Sequence, residues 1–284
     1  MENRPAVGED IGFDNSGPVR DQKLYGEFSK KALEMGLDPD DRWVGGYVEY
    51  EWHHVRHLID TVIGGKKSHI LEFGCNFGAT SVVTAILGHT VCAVDIDHDM
   101  VELAKLNAAQ YGVSDKTCYN RIMPGGQLPY GDKMFDAVLC NSVLEYVSAK
   151  DMNSVLKEID RVLKPGGRLL IFGTSNRLSP KEVHSGKWFT NYIPPAWDNF
   201  FFKGKHPERG LNPLKLIRNF RNYKNIDFDR RGSNYFKVKK LGGTSALNLM
   251  ILRGIHLCVS PFGISVGLLT PSLSVNLEKP ESTL

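Results

Sequence analysis

The chain has 284 residues, of which 42% are hydrophobic and 24% charged, with a net charge of +3. This is the balance of a globular protein, and the length suits one α/β domain of about 200 residues with an elaboration. Five scattered cysteines exclude a disulfide framework or a zinc site, and the polar N-terminus excludes a secretory signal, so we predict a cytoplasmic protein.

The first part of the chain predicts a polar arm followed by two helices. Residues 1–22 are polar and glycine-rich, and an apolar stripe then predicts a helix over residues 23–35. A second helical pattern spans residues 47–63 and stops at two glycines. We interpret residues 1–64 as an N-terminal arm with cap helices.

From residue 67 onward, short β-branched runs alternate with helical stretches. This alternation predicts an α/β fold, a Rossmann-like doubly wound, mostly parallel seven-stranded sheet with helices on both faces, and a core over residues 65–176. The predicted strands cover residues 70–73, 90–95, 116–122, 135–141 and 168–174, and the helices residues 80–88, 100–111 and 152–163. The sequence KPGG at residues 164–167 is expected to end the last helix and lead into the fifth strand.

The alternation is lost after Thr174, and residues 177–284 are predicted to form a lid insertion, a completion of the sheet and a tail. The segment 176–202 is rich in aromatic residues and proline, which is typical of a substrate cap, and a helix is predicted over residues 212–223. An apolar stretch follows Ser245, but charged residues and prolines interrupt it, so we predict no transmembrane segment.

A strand followed by a glycine loop predicts a nucleoside site. Residues 71–78 read LEFGCNFG, and Glu72 ends the strand where it can meet a positively charged ligand group. We expect the glycines to let the ligand approach the backbone, since a Cβ would block it. The next strand ends at Asp95, where a carboxylate can accept both ribose hydroxyls. A dinucleotide fingerprint is disfavoured, because Asn76 replaces the middle glycine and Ala79 the last.

Four ordered blocks within residues 65–176 resemble the class I S-adenosylmethionine-dependent methyltransferases, of the type related to ubiquinone-biosynthesis and other small-molecule methyltransferases. They are residues 71–78, VDID at 94–97, LPY at 128–130 with FDAV at 135–138, and LKPGG at 163–167. The resemblance implies S-adenosyl-L-methionine as the cofactor. The implied cofactor-binding residues are Glu72, Gly74, Cys75, Asn76, Gly78, Asp95, Ile96 and Asn141.

The chain departs from this family pattern at two places. Relatives often carry Asp-Ala where this chain has Pro124 and Gly125, so the adenine amine must be met by the backbone there or by Gln127. Many relatives have Leu-Glu-His after the fourth strand, whereas this chain has Tyr146 at the third position. A catalytic role for that histidine therefore does not carry over.

The candidate catalytic base is His184, just past the fifth strand, with Glu182 to orient it or to act in its place. A hydrogen bond that merely holds a lid is the alternative interpretation of His184. His53 and His57 share a helix face, with His54 beside them, and are another candidate ligand-binding site. We predict that they bind no metal. The aromatic residues of 188–202, with Tyr47, Tyr50 and Trp52, are expected to roof the pocket for an apolar acceptor or merely to seal it.

We predict methyl transfer to a small-molecule or lipid-precursor acceptor, apolar or anionic, at an oxygen or carbon. Residues 203–240 hold twelve Lys or Arg against three acidic residues, and five aromatic residues lie among them. Because RNA binders mix basic and aromatic residues, an RNA methyltransferase anchored there is the second interpretation. The third is a non-catalytic module that kept the cofactor fold. The oligomeric state is not predicted.

Overall fold

The computed structural model describes residues 17–202, 209–227 and 232–281. Three helices precede the sheet: α1 (Gln22–Glu34), α2 (Tyr47–His54) and α3 (Arg56–Val62). The side chain of Asp21 caps α1 by accepting the N–H groups of Lys23 and Leu24. The prediction of a single helix over residues 47–63 is wrong in one respect, because the helix is interrupted at Val55. As a result α2 packs against the helix after β1, while α3 packs on the sheet.

Seven strands form one sheet, as the sequence predicts. They are β1 (His69–Phe73), β2 (Thr90–Asp95), β3 (Thr117–Arg121), β4 (Phe135–Asn141), β5 (Leu163–Ser175), β6 (Lys224–Asn225) and β7 (Ser272–Glu278). Their order is β3-β2-β1-β4-β5-β7-β6. The four pairs among β1 to β5 are parallel, and β7 pairs antiparallel with both β5 and β6. The predicted bounds of β2 and β4 agree with the structure.

Helices cover both faces of the sheet because alternate strand residues point to opposite sides. Leu71 and Val138 pack on one face with α6, whereas Ile70 and Leu139 pack on the other with α3. The remaining helices are α4 (Ala79–Ile86), α5 (His98–Gln110), α6 (Met152–Val162), α7 (Asp198–Phe202), α8 (Pro213–Asn219), α9 (Ser233–Leu241) and α10 (Ala246–Val259).

The segment 164–167 lies within β5 and is not a connection before it, which corrects the prediction. Helix α6 ends at Val162, and Leu163 already pairs with Phe135. The register then shifts before Arg168 pairs with Ala137, and Gly166 takes a positive φ of 72°. The N–H of Gly166 donates to the Lys279 carbonyl at 3.0 Å, so the irregular segment stays hydrogen-bonded to the C-terminal strand.

The aromatic residues of the basic segment 203–240 serve mainly as core. Phe220, Tyr235 and Phe236 are buried, and the Tyr223 hydroxyl donates to Asp160 Oδ1 at 2.6 Å. Phe228 lies outside the described residues. The four described rings, those of Phe220, Tyr223, Tyr235 and Phe236, are therefore not exposed platforms for stacking RNA bases. No helix within the described ranges has the length and apolar character needed to cross a membrane.

Strand β1 lies between β2 and β4, so the strand order reverses beside it. In open α/β sheets such a reversal leaves a crevice at the carboxyl ends of the neighbouring strands. The residues after Phe73, Val94 and Cys140 are therefore the ones that the fold brings together.

Candidate functional site

A cleft of about 1540 Å³ opens at this edge of the sheet. Six of the ten predicted cofactor residues line it: Gly74, Asn76, Asp95, Ile96, Gly125 and Asn141. Ligand pockets usually measure about 300–1,000 Å³, so the cleft has room for a nucleoside cofactor together with a second molecule.

The other four predicted cofactor residues do not line the cleft. Glu72 and Cys75 are buried, Gly78 is enclosed at the start of α4, and Gln127 points to solvent. The Ser81 hydroxyl donates to Glu72 Oε2, and burial raises the pKa of Glu72 to about 8. Glu72 thus lies behind the cleft wall, so any effect that it has on a ligand passes through its neighbours.

Contacts within the protein require Gly74 and Gly78, whereas we expected from the sequence that a ligand approaches the backbone at these glycines. Both have a φ of 76°, a backbone conformation that side chains disfavour. A Cβ on Gly74 would overlap Val143 Cγ2, and one on Gly78 would lie 3.0 Å from the Tyr119 hydroxyl oxygen. The glycines therefore let the loop pack tightly beneath the cleft, and their missing side chains do not face the ligand space.

The carboxylate of Asp95 is held in one orientation at the end of β2. Its Oδ2 accepts the N–H of Asn76 at 2.7 Å, and its Oδ1 accepts the N–H of Asp97 at 3.0 Å. Each carboxylate oxygen can accept a further hydrogen bond. Because Asp95 lines the cleft, two adjacent hydroxyl groups of a ligand can be bound there.

Glu51 of α2 is a cleft residue that sequence reasoning missed. Its Oε1 accepts Asn141 Nδ2 at 3.2 Å, and its buried Oε2 has no hydrogen-bond partner among the described residues. Burial raises the pKa of Glu51 to about 7, although Tyr47 and Asn141 offset part of this effect. A buried carboxylate with an unused oxygen fits a cationic ligand group. A glutamate within an aromatic helix gave no signal in the sequence.

The opposite end of the cleft, after β2 and β3, can hold a flat ring. Ile96, Met100 and Leu128 line it with apolar side chains, together with Gly125 and Asp151. A Cβ on Gly125 would lie 2.6 Å from Asp151 Oδ1. This carboxylate therefore lies directly beside Pro124 and Gly125, where the chain departs from the family pattern. Asp151 can therefore accept a hydrogen bond from an amine there. Sequence reasoning missed Asp151 because it lies far along the chain from Gly125.

His184 lines the cleft, but its ring partner is Glu145 and not Glu182. His184 Nε2 lies 2.9 Å from Glu145 Oε1, and the Glu145 side chain is buried. Glu182 instead accepts the N–H groups of His184 at 3.0 Å and Ser185 at 2.6 Å. It is fully buried and holds the backbone of this turn. The expectation that Glu182 orients the ring or acts as the base is therefore corrected.

Basic side chains gather on the wall formed by α2, α3 and α9. We call this set the basic wall: Arg42, His53, His54, Arg56, His57 and Lys239. Burial lowers the pKa of His54, His57 and Lys239, and neighbouring cations lower that of the two histidines further. Within the described ranges, no group of three or more His, Cys, Asp or Glu could hold a metal ion. This wall can attract an anionic group without a metal.

The predicted aromatic roof is only partly present. Tyr47 and Tyr50 line the cleft and stack on each other with ring centroids 5.8 Å apart. Trp188, Phe189, Trp197 and Phe200 are exposed and lie outside the cleft lining. From the segment 176–202, Val183 and His184 are the described residues that line the cleft. The turn between β5 and Trp188 therefore borders the site, whereas the exposed aromatic residues do not seal it.

Comparison with known proteins identifies the central part of the chain. Residues 71–171 match a family model described as a methyltransferase domain. The ubiquinone biosynthesis O-methyltransferase of Pseudomonas savastanoi pv. phaseolicola is 30% identical over 146 residues, which is 50% of this chain and 60% of that protein. The malonyl-[acyl-carrier protein] O-methyltransferase of Erwinia pyrifoliae is 30% identical over 162 residues, 56% of this chain and 57% of that protein.

A solved structure, that of the [4+2]-cyclase SpnF, aligns with 94% of this chain and 100% of that chain at a TM-score of 0.51. Its identity is 15%, so it supports the fold alone. The chain spans about 60% of the length of the curated relatives described above. Residues 71–171 are therefore similar to a methyltransferase domain, and about half of the chain is similar to O-methyltransferases.

Proposed function

We propose that the chain transfers a methyl group from S-adenosylmethionine to an oxygen or carbon of a small-molecule or lipid-precursor acceptor. The observation that carries this proposal is a single cleft with the oriented Asp95 carboxylate at one end and the His184–Glu145 pair at another part of its wall. Bound S-adenosylmethionine supplies an electrophilic methyl group on a sulfonium. The protein's main task is then to hold the acceptor atom in line with it.

The residues at the cofactor end fit the parts of this cofactor. Asp95 would accept the ribose hydroxyls, and Ile96, Met100 and Leu128 would enclose the adenine, with Asp151 beside its amine. The unpartnered Oε2 of Glu51 would accept the ammonium group of the methionine part. Glu51 then replaces Glu72 as the direct ammonium ligand in our proposal.

At the acceptor end, His184 is the proposed general base. Glu145 Oε1 hydrogen-bonds with Nε2 of the His184 ring and orients the ring. Glu182 accepts the backbone N–H of His184 and so holds the backbone that carries the ring. A base of this kind is needed when the acceptor is a hydroxyl, because its proton must leave as the oxygen–carbon bond forms. The names of the O-methyltransferase relatives support an oxygen acceptor. A relative named sterol 4-C-methyltransferase keeps carbon as the alternative.

The basic wall favours an acceptor that carries a negative charge. Six cationic or titratable side chains face one space, and Tyr47 and Tyr50 add aromatic surface beside them. We therefore propose an amphipathic acceptor with an anionic group, held by the wall while its reacting atom faces His184. In this organisation residues 65–176 bind the cofactor together with Glu51 of α2, and the described parts of residues 1–64 and 177–284 otherwise shape the acceptor end.

The test separates cofactor binding from turnover. We expect Asp95→Asn to weaken S-adenosylhomocysteine binding in calorimetry by about tenfold or more, because hydrogen bonds to a carboxylate are lost. We expect His184→Ala to keep that affinity but to lower turnover by about 100-fold or more. Turnover is measured as S-adenosylhomocysteine formed with a low-molecular-mass cell extract as the acceptor source.

Two matched variants control for general damage. Asp99→Asn removes an exposed carboxylate of α5 that pairs with Lys31, and His98→Ala removes a histidine at the start of the same helix. Both are expected to behave as the unaltered protein. No S-adenosylhomocysteine binding by the unaltered chain would favour the non-catalytic interpretation, and unchanged turnover in His184→Ala would remove the histidine from the mechanism.

A further inference from the structure

One face of α10 is apolar and exposed. We call it the α10 stripe, and its residues recur at helical spacing: Leu247, Met250, Ile251, Gly254, Ile255 and Cys258. The opposite face packs inward, where Leu249 and Leu252 contact Tyr235, Phe236 and Val266 and His256 is buried. Phe262, just beyond the helix, is 79% exposed and adds to this surface. A continuous exposed apolar face of this kind indicates a binding surface.

The segment of the chain that contains the stripe carries positive charge and no negative charge. Residues 230–277 contain six Lys or Arg and not one Asp or Glu. Lys237 and Lys240 on α9 and Arg253 on the border of the stripe are exposed. An apolar helix face flanked by cations complements a surface that is apolar inside and anionic outside, which is the chemistry of an anionic lipid bilayer.

A second copy of the chain fits this surface less well. A two-fold interface would place the same patch on both sides, so Arg253 and its basic neighbours would meet their own counterparts without any carboxylate between them. The helix is also too short to span a bilayer, since 14 residues extend about 21 Å and a hydrocarbon core measures about 30 Å. It can therefore lie only in the plane of the interface.

We propose that the α10 stripe docks on the surface of an anionic lipid bilayer, with Lys237, Lys240 and Arg253 at the headgroups. The turn between α9 and α10 lines the cleft through Gly242, Gly243 and Thr244. Docking therefore brings an edge of the cleft to the lipid surface. An amphipathic acceptor with an anionic group can then pass between membrane and cleft without fully entering water.

Flotation of the full chain with lipid vesicles tests the proposal. We expect binding to vesicles of phosphatidylcholine mixed with phosphatidylglycerol, weaker binding to phosphatidylcholine alone, and a loss of binding as salt is added. Leu247→Ser combined with Ile251→Ser should lower the partition coefficient by at least about tenfold, because the apolar area that enters the interface is lost. Lys237→Gln with Arg253→Gln should lower it by about fivefold per cation, and only on the anionic vesicles.

The matched control is Leu33→Ser on α1, since Leu33 and Leu247 are equally exposed at 62%. This variant should bind as the unaltered chain does. Thermal unfolding and S-adenosylhomocysteine binding of each variant show whether it is folded, and neither depends on lipid. Equal binding to both vesicle types, or no binding to the anionic vesicles, overturns the proposal. A sedimenting dimer that the Leu247→Ser/Ile251→Ser variant abolishes would then assign the stripe to self-association.

Discussion

At the scale of single residues, we propose that Glu51 governs how cofactor binding responds to pH. Its carboxyl is 2% exposed, and its pKa of about 7 places the change of charge within the physiological range. The cationic methionine end of the cofactor interacts favourably only with the ionised form. In our proposal, protonation of Glu51 therefore competes with cofactor binding.

We expect S-adenosylhomocysteine affinity to fall as the pH drops below 7. The free-state pKa is raised and the bound-state pKa is lowered by the ammonium, so binding releases a proton, and affinity should fall by about tenfold per pH unit between these two values. Calorimetry between about pH 5.5 and pH 8, which spans the pH range in which a carboxyl with such a raised pKa titrates, would show this slope. Glu51→Gln should weaken binding and flatten the profile.

The matched control for this measurement lies on the same helix. Glu49 accepts the Tyr111 hydroxyl at 2.8 Å and does not line the cleft. Glu49→Gln should therefore keep the pH slope of the unaltered protein. A slope that persists in Glu51→Gln would show that another group binds the ammonium, and Glu72 would then be the first candidate because burial also raises its pKa.

At the scale of elements, the loop between β1 and α4 and the residues after β4 form one packed unit. Gly74 adopts a φ of 76°, and its missing Cβ makes room for Val143. The N–H groups of Gly74 and Cys75 both donate to the Val94 carbonyl, at 2.8 and 3.0 Å. The ends of β1, β2 and β4 are therefore fixed relative to one another before a ligand arrives.

Gly74→Ala should lower the free energy of unfolding by about 2–5 kcal/mol, from left-handed backbone strain and overlap with Val143. Adding Val143→Ala removes the overlap with the two methyl groups but leaves the Val143 Cβ 2.7 Å from the new Cβ, so it relieves part of the overlap and none of the strain. The free energy of unfolding of the double variant should exceed the value expected from adding the two single effects by about 0.5–3 kcal/mol, as measured by urea unfolding.

Gly65→Ala controls for the loss of glycine itself. No atom lies within 4 Å of a Cβ at Gly65, and its φ is not positive, so the change should cost less than about 1 kcal/mol. Strict additivity of Gly74→Ala and Val143→Ala would show that the two residues do not restrict each other.

At the scale of the whole molecule, acidic and basic residues line different walls of the cleft. Asp95, Asp151 and Glu158 line the part near the ends of β2 and β3, whereas the basic wall contributes its residues from α2, α3, α9 and Arg42. In our proposal a cationic donor and an anionic acceptor would each find complementary charge. The basic wall joins distant parts of the chain, because Arg42 and Lys239 line one cleft only after α2 and α9 have packed beside the sheet.

Inorganic sulfate, which keeps its charge across neutral pH, is a probe for the basic wall. Anion binding favours the protonated histidines, and His54 and His57 have lowered pKa values in the free protein. Sulfate binding should therefore take up protons and strengthen as the pH falls. Arg42→Gln with Lys239→Met should weaken it by about tenfold or more, as followed by NMR titration.

Lys105→Gln is the control for sulfate, because Lys105 is an exposed cation of α5 that pairs with Glu102 outside the cleft. It should leave sulfate affinity unchanged. Sulfate binding that is indifferent to both the double variant and pH would show that the basic wall does not hold anions.

The sequence by itself determined the sheet core and the carboxylate at the end of β2, and its motifs resemble those of S-adenosylmethionine-dependent methyltransferases. Hydrophobic periodicity and the loop motif are local, so they are readable from neighbouring residues. Tertiary structure alone decided that Glu51 faces the cleft while Glu72 lies behind it, and that Glu145 rather than Glu182 contacts the His184 ring. These contacts join residues far apart in the chain, and no local pattern encodes which of them meet when the helices pack on the sheet.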